Sequence, residues 1–171
     1  MHRCSLAMVG LATALVFSPW CSSSRAGVVD ELSGRWGESG TGPATLTWMA
    51  DGTGFTVTWN PSDGASSEVR YEPAQRPAIF AGQARGRRSM LQSMFGADGP
   101  VNPLVDGTLY WARVDDETVY LYSLTVDDRG DFRLERIACR REGDVLSVSL
   151  ARRTGVGSER IVERRLEPVR P

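Results

Sequence analysis

The side chains able to carry acid–base or nucleophilic chemistry are restricted in type in this chain. The only histidine is His2, and no position is lysine, so the basic side chains are arginines. Because we predict that His2 is removed with an N-terminal export segment, we expect no histidine chemistry in the mature protein. The composition therefore excludes a Ser-His-Asp triad, a Cys-His dyad, histidine-bound zinc or haem, and a lysine Schiff base. Carboxylates, tyrosines and arginines remain for catalysis.

Half of the carboxylates in the second half of the chain are grouped in segments that we predict to be turns. They are Asp115, Asp116, Glu117, Asp127, Asp128, Glu142 and Asp144. A glycosidase needs two carboxyl groups about 5 to 10 Å apart across a cleft, whereas acidic residues in turns are usually solvated and stabilise the turn. The run 127–131 also lacks the twelve-residue spacing and terminal glutamate of a calcium loop. We expect no metal site and no cofactor, and enzymatic activity is disfavoured.

Cys139 is the one cysteine expected in the mature chain, because Cys4 and Cys21 lie in the predicted export segment. It therefore has no partner for an intramolecular disulfide. Without a histidine or lysine to lower its pKa, we interpret it as a small buried hydrophobe on a strand. The formal net charge of −1 gives no electrostatic support for binding nucleic acid.

The N-terminal residues have the order of a secretory signal peptide. Basic residues precede an apolar run at 6–17, and small residues follow, with Ser24-Arg25-Ala26 placing the cut after Ala26. We therefore expect a signal peptide over 1–26 and one mature domain over 27–171, periplasmic or secreted. The apolar run is shorter than the ~20 residues that cross a bilayer, so a membrane-spanning protein is not expected. A lipid-modified start at Cys21 is the alternative, but proline and tryptophan precede it where a bacterial lipobox has small residues.

Apolar and polar residues alternate along short segments from residue 44 onward, and this pattern predicts strands with one buried face. The predicted strands are Arg35-Trp36, Thr45–Met49, Phe55–Trp59, Glu68–Tyr71, Thr108–Val114, Thr118–Val126, Asp131–Arg140, Val145–Arg152 and Ser158–Pro168. Short connectors force neighbouring strands to run antiparallel, because parallel pairing needs long crossovers. We therefore predict an all-β fold, an antiparallel up-and-down barrel of eight to nine strands, since closure removes exposed edges.

One long connection, 72–106, does not follow this pattern. It is rich in proline and glycine, and it contains a possible strand at Ala78–Ala81 and a possible short amphipathic helix at Ser89–Phe95. Long connections in compact domains are often lids or binding loops. The alternative is a loop that plugs or covers the barrel without binding a ligand.

Gly34-Arg35-Trp36, after a polar turn predicted at Asp30–Ser33, and Arg164 on the last predicted strand resemble elements of the calycin superfamily, the lipocalins and their relatives. In that family a G-x-W near the start of the barrel packs its tryptophan under an arginine from near the chain end. The resemblance implies a lipocalin-like barrel in which Gly34, Trp36 and Arg164 close one end. A guanidinium over an indole is a cation–π contact.

If the barrel forms, one face of each strand lines a lumen. The lumen candidates are Trp48, Phe55, Val57, Trp59, Tyr71, Tyr120 and Tyr122, either Tyr110 or Trp111, and Leu146 with Val148. Arg113 and Arg136 are candidate anchors for a ligand carboxylate or phosphate. Alternatively, these arginines lie at strand ends and pair with Asp115 or Glu135 on the surface.

These observations leave three functional hypotheses. The leading one is an exported, non-catalytic β-barrel that binds a small apolar or amphipathic molecule. The second is a barrel filled by its own side chains that serves as an envelope structural or interaction protein, with Arg85–Phe95 as the contact loop. The third, a carboxylate-dependent hydrolase, requires an acidic pair that converges in one cleft. No particular protein partner is predicted.

Overall fold

The computed structural model describes residues 24–38, 45–60, 66–84, 107–155, 157 and 160–169. They form one helix and ten strands. In chain order these are α1 (Ser24–Glu31), β1 (Gly34–Gly37), β2 (Thr45–Ala50), β3 (Phe55–Asn60), β4 (Ser67–Pro73), β5 (Ile79–Ala84), β6 (Thr108–Asp115), β7 (Thr118–Val126), β8 (Phe132–Glu142), β9 (Val145–Thr154) and β10 (Arg160–Pro168).

Each strand pairs antiparallel with its neighbours in sequence, and β1 pairs with β10 to close the sheet. The predicted all-β, antiparallel up-and-down barrel is therefore confirmed. The count among the described residues is ten, slightly more than the eight or nine predicted, because β5 is a full strand between β4 and β6. The helix predicted at Ser89–Phe95 and the N-terminal apolar run lie outside the described residues.

Alternation along the strands separates an inner from an outer face. The register places Phe55, Tyr71, Gly82 and Tyr110 side by side on the inner face across four successive strands. Hydrophobic side chains of this face are buried together in one cluster, which runs from Trp48 on β2 to Leu166 on β10. Burial of this inner face is the main stabilising contribution to the closed sheet.

Gly82 is required by the close approach of two neighbouring strands. A Cβ at this position would lie 2.6 Å from the Cβ of Tyr110 and 2.8 Å from Cε1 of Tyr71. The absence of a side chain at position 82 therefore lets both tyrosines occupy the inner face beside β5. Gly82 thereby shapes the wall of the interior.

The helix α1 covers one end of the barrel, which we call the helix end. Val28 and Val29 of α1, and Leu32 after it, are buried against the barrel core. The Nε1 of Trp36 donates a hydrogen bond to the carbonyl oxygen of Leu32 at 2.9 Å. The turn predicted at Asp30–Ser33 is thus the end of a helix. Among the described residues, no helix has the length and apolar character needed to cross a membrane.

The cation–π contact that closes the helix end comes from a different arginine than predicted. Arg141, at the end of β8, lies with its guanidinium carbon 5.8 Å from the ring centroid of Trp36. It also donates hydrogen bonds to the carbonyl oxygens of Glu31 and Gly143, both at 2.9 Å. Arg164 instead forms an ion pair with Glu38. The predicted pairing of Trp36 with Arg164 is therefore wrong.

Gly34 begins β1 with a backbone φ of 139°, in a region that residues with side chains rarely adopt. This conformation directs the chain from the end of α1 into β1, where Gly34 pairs with Trp48 of β2. The glycine of the G-x-W tripeptide is thus explained by its backbone conformation, and Trp36 by its packing on the helix end.

Candidate ligand-binding cavity

The inner face encloses a cavity of about 620 Å³, a size typical of small-molecule sites. Much of its wall is aliphatic. The aliphatic lining residues are Leu46, Val57, Val69, Leu121, Ile137, Val148, Leu150 and Val162. Trp59, Tyr71 and Tyr110 add aromatic surface. The interior of the described barrel is therefore not completely filled by its own side chains.

A stack of aromatic rings fills the barrel next to the cavity. Trp48 stacks on Phe55 with ring centroids 5.1 Å apart, and Phe55 stacks on Tyr71 at 4.9 Å. Phe80 meets Phe55 edge to face at 5.2 Å. Trp48 and Phe55 are fully buried, whereas Tyr71 also borders the cavity. The stack therefore forms a packed aromatic floor beside the cavity.

Two titratable groups near this floor, Tyr71 and Cys139, are held in their neutral forms. Burial raises the pKa of Tyr71 above its usual range, and interactions with Tyr110 and Cys139 add to the rise. Burial alone raises the pKa of the Cys139 thiol to about 12. Neither group is an activated nucleophile, so both side chains are neutral in the lower part of the interior.

Charged side chains border the cavity near the barrel end opposite α1, which we call the loop end. Arg152 contacts Oε1 of Glu135 with Nε at 2.8 Å and Nη2 at 2.7 Å. Arg133 approaches the same oxygen only to 3.8 Å, and Ser123 donates a hydrogen bond to Oε2 at 3.4 Å. Glu135 therefore holds two guanidinium groups near one point of the cavity rim.

A second ion pair on the rim joins Arg164 and Glu38. The two pairs are on neighbouring parts of the closed sheet, since β10 pairs with both β9 and β1. Together with Ser67, Thr108 and Thr125, these groups make the rim polar above aliphatic walls. The cavity thus has an apolar body and a charged edge, which is the pattern of an amphiphile site.

The structure divides the predicted lumen residues between the two faces of the sheet. Val57, Trp59 and Tyr71 border the cavity, while Trp48 and Phe55 pack beside it. Of the two residues left as alternatives on β6, Tyr110 is the one on the inner face. Leu146 and Val148 on β9 are also on the inner face, as expected, and Val148 borders the cavity.

The other predicted residues point to the outer face. These are Trp111, Arg113, Tyr120, Tyr122 and Arg136, which pair with one another across β6, β7 and β8. Their predicted placement in the lumen is wrong. On β6 the even-numbered positions, such as Tyr110, face inward, and the odd-numbered positions face outward. Trp111 and the residues that pair with it therefore lie on the outer face. Participation of any inner residue in binding stays a prediction.

On the outer face these side chains form their own contacts. Trp111 and Tyr122 stack with centroids 4.9 Å apart and ring planes within 1° of parallel. Arg113 forms an ion pair with Asp115, which is the surface alternative considered from the sequence. Tyr122 also borders the cavity, between Leu121 and Ser123, although its ring stacks on the outer side. The outer patch is thus partly shielded from solvent by its own stacking.

The charged rim residues were missed by the sequence analysis. Arg133 and Glu135 alternate with Ile137 and Cys139, so the inner face of β8 could be followed from its apolar end into its charged end. Arg152 continues the inner face of β9 in the same way. This signal is present in the sequence, but charged residues at strand ends are usually solvated, and Arg133 and Arg152 are not among the predicted site residues.

The turn carboxylates remain at the surface. Asp127 accepts hydrogen bonds from the backbone amides of Arg129 and Asp131, both at 2.9 Å, and so stabilises its own turn. Glu117 pairs with Arg140 at 3.0 Å. Among the described residues, the acids that border the main cavity are Glu38 and Glu135, and each is bound to arginine. Within the described residues, no cluster of three or more His, Cys, Asp or Glu side chains could hold a metal ion.

Comparison with known proteins identified no relative of this chain. The chain matches no protein-family model, and neither the search of curated proteins nor the search of solved structures found a match. The antiparallel barrel is compatible with a small-barrel fold, whereas membership of the calycin superfamily remains an expectation from the G-x-W tripeptide.

Proposed function

We propose that this protein is a non-catalytic β-barrel that binds a small apolar or amphipathic molecule in its interior. The observation that carries the proposal is the cavity of about 620 Å³ with aliphatic walls and a polar rim. Apolar ligands bind to such sites because burying their surface removes it from water. The neutral Tyr71 and Cys139 make the floor compatible with an apolar ligand.

The same cavity favours this proposal over the two alternatives. A barrel that serves only as a filled structural module would have a solid interior. A carboxylate-dependent hydrolase would need an acid and a base free to exchange protons with substrate, whereas Glu38 and Glu135 are both engaged with arginines. The loop Arg85–Phe95, the proposed contact surface of the structural alternative, lies outside the described residues.

A cavity-filling variant tests the proposal. Val148→Trp places a large ring in the cavity, so it should abolish the rise in melting temperature that dodecanol produces in the original protein, because a ligand that binds only the folded state stabilises it. The measurement is thermal unfolding with and without dodecanol for each protein. The residual volume around Val148 limits the overpacking cost that such an insertion normally carries.

The matched control is Ser149→Trp, at the adjacent position of β9 whose side chain points outward. It adds the same ring without entering the cavity, so it should keep the dodecanol-induced rise. Equal shifts in both variants, or no shift in the original protein, would contradict binding in this cavity.

We also propose that the protein is exported, with processing after Ala26. The support is the basic, apolar and small-residue order of the N-terminal sequence. Cleavage there would retain Val28, Val29 and Leu32, which cover the helix end of the barrel. Intact mass measurement of protein purified from its own host should give residues 27–171. An uncut N-terminus, or a lipid on Cys21, would refute this processing site.

A further inference from the structure

The charged rim of the cavity has an unequal number of positive and negative groups. Its charged lining residues are Glu38, Arg133, Glu135, Arg152 and Arg164. Among the described lining residues, three arginines therefore face two glutamates, which leaves one positive charge in excess. Arginine stays protonated at all physiological pH values, so this excess is permanent.

Among the three rim arginines, Arg133 makes the longest contact with its carboxylate partner, Glu135. Arg152 reaches Glu135 at 2.7 Å, whereas Arg133 reaches it only at 3.8 Å. The Arg133 side chain is 53% exposed, and it borders the cavity on one side. On its other side is a smaller depression of about 420 Å³ that also contains Asp127 and Asp131. Asp127 accepts bonds from two backbone amides of its own turn. Among the rim arginines that the structure describes, Arg133 is therefore the one whose guanidinium is most open to an additional anion.

From this arrangement we infer that the ligand is an amphiphile with a single negatively charged head, bound with the head at Arg133 at the loop end and the tail against the aliphatic walls. The inference rests on the proposed function and names its ligand class. Glu135 shows the recognition chemistry directly, because its carboxylate already occupies the fork of Arg152. A ligand carboxylate at Arg133 would extend this network and balance the rim.

The orientation follows from where polarity lies along the barrel. Arg133, near the start of β8, and Thr125, at the end of β7, are at the loop end, whereas Tyr71 rests on the buried aromatic stack. Placing the anionic head at the floor would desolvate it against Phe55 and a neutral Tyr71 without a cationic partner among the residues described there. The head therefore binds at the rim, and the tail extends toward the floor.

Binding of three probes tests the head group. Dodecanoate should bind about tenfold more tightly than dodecanol, a ratio typical of one charge-assisted hydrogen-bonded contact. High salt should reduce this ratio, because it screens the partly exposed head contact. Acetate at the same concentration should give no stabilisation. If acetate stabilises as strongly as dodecanoate, or dodecanol binds as tightly as dodecanoate, the inference is wrong. If neither dodecyl compound binds, the proposed function fails with it.

Variants of the rim assign the head site. Arg133→Gln should lower dodecanoate affinity about tenfold and leave dodecanol affinity unchanged. Arg153→Gln is the matched control, because it removes the same charge from the outer face near the same end of the barrel. Loss of dodecanoate affinity in both variants would indicate a general charge effect and overturn the site.

A second variant gives an effect of the opposite sign. Glu135→Gln removes one negative charge from the rim and releases Arg152, so it should raise dodecanoate affinity without changing that for dodecanol. Unchanged or weaker dodecanoate binding in a folded Glu135→Gln protein would overturn the inference even if Arg133→Gln fails to fold.

Discussion

At the scale of single residues, the arginine that covers Trp36 is Arg141 and not the expected Arg164. Arg141 both covers the indole of Trp36 and donates to the carbonyl oxygen of Glu31, so it joins β8 to α1. Arg164, which occupies the expected position on the last strand, faces the cavity rim and pairs with Glu38. One arginine therefore closes the helix end, and the other contributes charge to the candidate site.

Substitution of Arg141 tests this division. Arg141→Met keeps an apolar side chain beside Trp36 but removes two hydrogen bonds and the cation–π contact, so it should lower the free energy of unfolding by roughly 1 to 2 kcal/mol. Arg140→Met, its neighbour with only an exposed ion pair to Glu117, should cost less than about 1 kcal/mol. Chemical denaturation measures both. Equal costs would show that the contacts at the helix end add nothing.

At the scale of the elements, the positions of the strands could be predicted from the sequence, whereas the inward face of some strands could not. The hairpin of β2 and β3 is correctly predicted because Leu46, Trp48, Phe55, Val57 and Trp59 alternate with threonines, which leaves one choice of buried face. On β6, both faces carry aromatic side chains, so the sequence pattern does not identify the inner one. The pairing of β6 with β5 identifies the inner face, because Gly82 lies beside Tyr110 and leaves room for the tyrosine side chain there.

The helix α1 and the charged rim escaped prediction for a different reason. The part of α1 whose burial is described offers only Val28 and Val29 as buried side chains, which is too few for a periodic pattern. Its position depends on contacts with distant parts of the chain, including the carbonyl oxygen of Glu31 bound by Arg141. Such long-range contacts are not encoded in local spacing. The rim residues do continue the inward alternation of β8 and β9, but charged residues at strand ends are usually solvated, so the alternation alone does not single them out.

For the whole molecule, the absence of lysine gives the barrel an unusual response to alkaline pH. Arginine remains charged well above the range in which lysine loses its proton, so the ion pairs of the barrel persist there. The groups expected to lower stability in this range are therefore buried neutral acids. Cys139 is one, since its pKa rises from 9.0 to about 12 in the folded protein, and Tyr71 is another, with its pKa also raised by burial.

The direction of the effect follows from proton binding. Above pH 9 the unfolded chain loses the Cys139 proton while the folded barrel keeps it until about pH 12, so stability falls as the pH rises across this interval. Each such group should lower the free energy of unfolding by about 1.4 kcal/mol per pH unit. Denaturant titrations at several pH values should show this slope, and Cys139→Ala and Tyr71→Phe should each reduce it. If either variant keeps the original slope, its group does not stay buried and protonated, and the neutral floor required for an apolar ligand tail is absent.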